Sequence, residues 1–120
     1  MKGRNPSADQ KRYWTLLAER VGCIACYHDR AGYQRNHHVS IHHVAGRTSA
    51  DAHWLVLPLC AGHHQDGYGA PGLIAVHPYK ARFESRYGRQ SALVRDCAEQ
   101  LVAMDERVPE RIKELIEEIA

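Results

Sequence analysis

The first apolar pattern along the chain has helical spacing. Tyr13, Leu16, Leu17 and Val21 recur at intervals of one helical turn, behind a Ser7 and Gln10 pair placed as a capping box. Gly22 offers a stop, so a helix is expected over 8–21. The pattern then changes. Cys23-Ile-Ala-Cys26 reads as a tight knuckle, and the polar, aperiodic stretch from Tyr27 to His38, with Gly32 inside it, is expected to be loop. Val39-Ser-Ile-His-His-Val44 is rich in β-branched residues and runs into Ala45-Gly46, the pattern of a strand entering a turn. On such a strand His42 and His43 face opposite sides, unless a bulge or the strand end re-aims one of them. After a polar loop over 47–53, Leu55-Val-Leu-Pro-Leu59 is a second short strand, which Pro58 limits to an edge or terminus. Ala61 to Gln65 suits a short helix, and Gly67 to Gly72 a glycine-rich loop.

Helical spacing returns in the last third. Pro78 suits the first turn of a helix running through Phe83 and Tyr87 to Gly88. A longer helix is expected over 91–104, with Leu93, Val94, Cys97, Leu101 and Val102 on one stripe. Pro109 opens a final helix whose amphipathic face is Ile112, Leu115, Ile116 and Ile119. These stripes are expected to pack on the core or on a second copy of the chain. The expected fold is α+β, a small single domain with a β-containing metal core flanked by helices. Its segments are an N-terminal helix (1–22), a core (23–88) and C-terminal helices packed on that core (89–120).

Length and composition narrow the class. With 120 residues, 44% hydrophobic and 25% charged, the chain suits one globular domain and is neither disordered nor repetitive in character. No apolar run approaches the roughly 20 residues that span a bilayer, and 1–14 lacks the apolar stretch of a secretory leader, so a cytoplasmic protein without a membrane partner is expected. The formal charge is only +2. From Lys2 to Arg47, however, eight basic residues face three acidic ones, while Asp105, Glu106, Glu110, Glu114, Glu117 and Glu118 gather near the end. A basic first half would suit phosphate contacts, and a solvated surface of mixed charge explains it equally well.

The unusual feature is nine histidines, all between His28 and His77, in company with four cysteines. In a reducing compartment such a pattern favours metal over disulfides. Cys23-x-x-Cys26 and Cys60-x-x-His63 are two pairs of soft ligands, each spaced so that one tight turn aims both side chains at one ion. Four such ligands close a tetrahedral shell, so a structural Zn2+ is expected. A metal cross-link from 23 to 63 would also compensate for the limited core of a small domain. A redox role for Cys23 and Cys26 lacks the surrounding βαβ pattern. Cys97, on an apolar stripe, reads as core, and His28, His37 and His38, in a polar stretch, read as surface.

Ile41-His42-His43-Val44 followed by Leu57-Pro58-Leu59-Cys60-Ala61-Gly62-His63-His64 resembles the pattern of HNH (ββα-metal) endonucleases. With Gly46-Arg47-Thr48, His77-Pro78 and Phe83-Glu84-x-x-Tyr87-Gly88 added, the chain resembles the phage recombination-enhancement nuclease (Ref) family. The resemblance implies a zinc-supported HNH fold, DNA cleavage dependent on Mg2+ or another divalent cation, and a phage or prophage protein directed by RecA filaments in a bacterial host. It also implies roles: His43 as the base that activates water, His42 and His64 as ligands of the catalytic cation, and His77 as a third ligand or else a helix N-cap. One position departs from the pattern. HNH enzymes carry an Asn shortly before Leu-Cys that braces the loop and orients the base, and here His53 and Trp54 stand instead. His53 could replace that Asn or be an accessory catalytic group. Arg47 is a candidate phosphate contact or a solvated loop residue. The competing expectation is a non-catalytic zinc module that binds DNA or protein, which has no use for His42, His43, His64 and His77 together.

Overall fold

The computed structural model describes residues 4–30, 34–68 and 72–118. Ile119, Gly32, Lys2 and the middle of the Gly67–Gly72 segment lie outside the described residues. In chain order the elements are α1 (Ala8–Leu16), continued by a π-helical turn Leu17–Val21, then α2 (Ile24–Asp29), β1 (Ser40–His43), β2 (Val56–Leu59), α3 (Ala61–His64), α4 (Lys80–Tyr87), α5 (Gln90–Ala103) and α6 (Glu110–Glu118). The protein is a small α+β single domain, 38 × 37 × 25 Å, around a two-stranded antiparallel sheet. No helix among the described residues is long and apolar enough to cross a membrane.

The N-terminal helix forms as its local sequence demands. Ser7 Oγ accepts from the Gln10 amide while the Gln10 side chain accepts from the Ser7 amide, so two otherwise orphaned donors are satisfied. The final turn widens, with the Gly22 amide donating to the Leu17 carbonyl at 2.8 Å. Both Leu17 and Val21 are fully buried there. Gly22 has φ +74°, and a Cβ on it would lie 2.6 Å from the Asn36 carbonyl oxygen. Only glycine lets the chain end the helix while pressing the Asn36 segment against the cysteine knuckle.

Strands β1 and β2 pair with Ile41 opposite Pro58 and His42 opposite Leu57. Leu57 and Leu59 belong to one apolar cluster that also takes in Tyr13, Leu17, Ile24, Phe83, Leu93, Leu101 and Ile112. The later helices thus pack on the same core as the sheet. Three expectations are corrected. Tyr27 to Asp29 are helical rather than loop, because Cys23 serves as an N-cap and starts α2. Pro78 precedes α4, whose N-cap is Tyr79, instead of lying in its first turn. Val102 is 58% exposed, off the buried stripe that Leu93, Val94, Cys97 and Leu101 form.

Candidate active site and metal centre

The knuckle residues converge. Cys23 caps α2 and Cys26 lies in its first turn, while Cys60 caps α3 and His63 lies within it, so two helix starts face each other. Cys26 Sγ stands 3.7 Å from Cys60 Sγ, and His63 Nδ1 is 3.5, 3.5 and 3.2 Å from the sulfurs of Cys23, Cys26 and Cys60. A tetrahedral zinc with ordinary bond lengths has edges of roughly 3.8 Å between sulfurs and 3.6 Å between sulfur and nitrogen. The four donors therefore fit a metal ion such as zinc.

Their surroundings favour the same state. Sγ of Cys23 accepts from the Cys26 amide at 3.4 Å, and Sγ of Cys26 accepts from Asn36 Nδ2 at 3.7 Å. The Cys23 thiol donates to its neighbours, which draws Cys60 down to about 3 and Cys26 to about 6 and pushes Cys23 itself upward. A divalent cation would remove that competition by stabilising all three thiolates. On the far side of the imidazole, His63 Nε2 faces Asp29 Oδ2 at 3.2 Å and Tyr87 Oη at 3.0 Å. Burial alone would raise the Asp29 carboxyl, but hydrogen bonds from Tyr87 and Arg86 outweigh it and keep the group ionised. An ionised partner on Nε2 fixes the ring and leaves Nδ1 for the metal.

A second cluster adjoins the first through the neighbouring residue of α3. Ligand atoms of His42, His64 and His77 all fall within 4.8 Å of one another. His42 is supplied by β1, and His64 closes α3. His77 arrives through backbone pairing: the Val76 amide donates to His63, the His77 amide to His64, and the Asp66 amide back to His77. This pairing, and not helix capping, sets the position of His77.

The tautomer of His42 follows from its partners. The Glu84 carboxylate can only accept, so the Gln90 amide nitrogen donates to it at 3.1 Å. Gln90 Oε1 then accepts from His42 Nε2–H at 2.7 Å, and the lone pair of His42 is left on Nδ1. Ser40 Oγ lies 2.9 Å from His64 Nδ1, which leaves Nε2 of that ring. Burial lowers His42 to about 4, despite the Gln90 hydrogen bond, and also lowers His64. Both are neutral near pH 7, the form that can hold a cation. Because the unfolded chain protonates His42 first, stability is expected to fall as pH drops from about 6.5 to about 4, by at most about 3 kcal/mol for this group. A denaturant midpoint measured across that range without added divalent cation should fall more steeply for the parent than for His42→Gln.

Helix α4 serves both clusters. Glu84 and Tyr87, three positions apart and so on one face, reach the His42 network and the His63 network respectively. Phe83 beside them is fully buried and packs on Tyr87 at 4.8 Å.

His43 points away from the cluster, as strand alternation requires. Its Nε2 lies 2.8 Å from His53 Nδ1, and both rings meet Trp14 edge-on, at 5.6 and 5.5 Å. The rings border a cavity of about 400 Å³ that Arg4, Asn5, Pro6, Trp14, Ile41 and Arg47 also line. Burial, then the Arg47 charge, lowers His43 to about 4, so the ring is neutral.

With this geometry in hand, the sequence can be compared with a known family. The family described as "Recombination enhancement, RecA-dependent nuclease" matches residues 6–102, well over half of the chain. The chain belongs to that family. The knuckle, the three-histidine cluster and the His43–His53 contact all lie inside the matched span. Sequence reasoning missed Gln90, Glu84, Ser40, Asp29, Tyr87 and Trp14 as partners of the site. Only Glu84 and Tyr87 left a signal, as members of the Phe83-Glu84-x-x-Tyr87 motif. His28, His37 and His38 stay at the surface, with His28 held by Asp96 at 2.7 Å.

Proposed function

We propose that this nuclease is a divalent-metal-dependent DNA endonuclease of the HNH class, directed by RecA filaments. Three histidines gathered within 4.8 Å, and on the next residue of the same strand a neutral histidine that opens onto a cavity, are the observation that carries the reading. His42, His64 and His77 would hold a divalent cation such as Mg2+, which when bound neutralises charge on the phosphate oxygens. The Cys23, Cys26, Cys60 and His63 zinc would be structural, since its four ligands leave no open position. Every proposed ligand and the base lie in segment 23–88, while Arg4, Trp14 and Gln90, which orient the imidazoles, come from outside it.

The chemistry of this chain's own residues is then limited. His43, neutral at working pH, accepts a proton from water as the water oxygen forms the new P–O bond. The P–O bond to the leaving oxygen breaks, and that oxygen takes a proton from solvent. Arg47, exposed on the rim of the cavity, contacts the phosphate backbone.

Plasmid DNA incubated with the zinc-loaded protein tests the reading. Cleavage is expected only with added Mg2+ or Mn2+, and to rise with RecA filaments. His64→Ala should lose activity and regain part of it at high Mg2+ or Mn2+. Cleavage undiminished without any added cation would rule out the metal-dependent reading, and DNA binding without cleavage under every condition would favour a non-catalytic zinc module.

A further inference from the structure

The contact between His43 and His53 continues beyond the pair. His53 is buried, 4% exposed, and both its ring nitrogens are engaged: Nδ1 with His43 and Nε2 with the backbone carbonyl of Arg4. Its own carbonyl accepts from Trp14 Nε1 at 2.7 Å, which ties the backbone at this position to α1. The Arg4 segment is itself held. Its amide donates to the Arg47 carbonyl at 3.0 Å and its guanidinium Nε to the Thr48 carbonyl at 3.0 Å.

A carbonyl oxygen can only accept a hydrogen bond, so His53 Nε2 must carry a proton. A neutral imidazole with Nε2–H has its lone pair on Nδ1. The 2.8 Å contact then requires His43 Nε2 to donate, and the remaining lone pair of His43 lies on Nδ1. One backbone oxygen, forty-nine positions from His53 in sequence, thereby decides which nitrogen of His43 is basic.

We infer that His53, fixed by the Arg4 carbonyl, is a positioning residue that holds His43 in the Nε2–H tautomer so that Nδ1 takes the proton from water. This rests on the reading of His43 as the base. When Nδ1 is protonated the new imidazolium keeps Nε2–H directed at His53 Nδ1, and the Nε2–H of His53 ends on the Arg4 carbonyl. The developing charge thus faces a line of dipoles oriented to stabilise it. The N-terminal segment has a consequent role, since docking of residue 4 onto the 47–48 backbone completes the chain that orients the base.

Two measurements on the full, zinc-loaded chain test the inference. Long-range proton–nitrogen NMR of the imidazoles reads the tautomer in the unaltered protein: His43 is expected to show a protonated Nε2 and a bare Nδ1. A neutral His43 with its proton on Nδ1 would overturn the inference. The second measurement is cleavage by His53 variants. His53→Asn keeps an acceptor near the position of Nδ1 and should stay within about tenfold of the parent rate, whereas His53→Phe removes it and should lose on the order of 10²-fold in kcat with little change in KM. In His53→Phe the His43 signals should become a tautomer mixture, which separates a positioning role from simple loss of packing. Equal rates for His53→Phe and the parent, with His43→Ala inactive, would sink the role of His53 and leave His43 as the base. Parent-like cleavage by His43→Ala would instead sink the underlying reading.

Discussion

Replacing His43 by alanine is expected to lower plasmid cleavage by ~10²–10⁴-fold, the usual loss when a positioned base is removed. Zinc content and DNA affinity should stay near those of the parent. The side chain is half-buried at the end of β1, where its hydrogen bond goes to His53 and its ring packs on Trp14 and His53. Truncating it therefore leaves the metal-type clusters and the sheet pairing in place. Added Mg2+ or Mn2+ should not restore activity, because a cation replaces a missing ligand but not a missing proton acceptor. This distinguishes His43→Ala from His64→Ala, whose defect should be partly relieved by mass action. A His43→Ala protein that cuts at the parent rate would place the base elsewhere, and His53 would be the next residue to test.

Cys60→Ser is expected to abolish metal binding at the knuckle and unfold the domain. Zinc binding contributes to folding directly, on the order of 10 kcal/mol for a complete structural site, and a small domain has only about 5–15 kcal/mol of net stability. Cys60 is the donor nearest to His63, at 3.2 Å, and it joins the end of β2 to the start of α3. Losing it weakens the ion's hold and removes the link between the α2 and α3 knuckles. Circular dichroism with a metal assay on the same sample reads both effects. A fully folded, zinc-free Cys60→Ser protein would refute the structural role. Cys97→Ser is the control, since that thiol is buried in the α5 stripe, is not one of the cluster's donors and should leave metal content unchanged.

Much of this protein was legible from residues a few positions apart. The Ser7–Gln10 box, the Gly22 stop, the two x-x pairs of cysteine and histidine that could hold one metal ion and the opposite facing of His42 and His43 all depend on local geometry, which spacing alone specifies. The early start of α2 was local too, yet it escaped notice because a cysteine is an unusual N-cap and the stretch after it is polar.

The partners of the histidines lie on another scale. Gln90 reaches His42 across forty-eight positions, Trp14 reaches the His53 carbonyl across thirty-nine, and Arg4 meets His53 across forty-nine. Each is a single contact with no periodicity, so no pattern in the chain announces it. Residue type and spacing determined which side chains can hold a metal or accept a proton. The choice of nitrogen on His42 and His43, the third place in the cluster for His77 and the exposure of Val102 were decided only in the folded chain. A tautomer depends on which acceptor lies within hydrogen-bonding distance, and packing of distant segments alone brings that acceptor there.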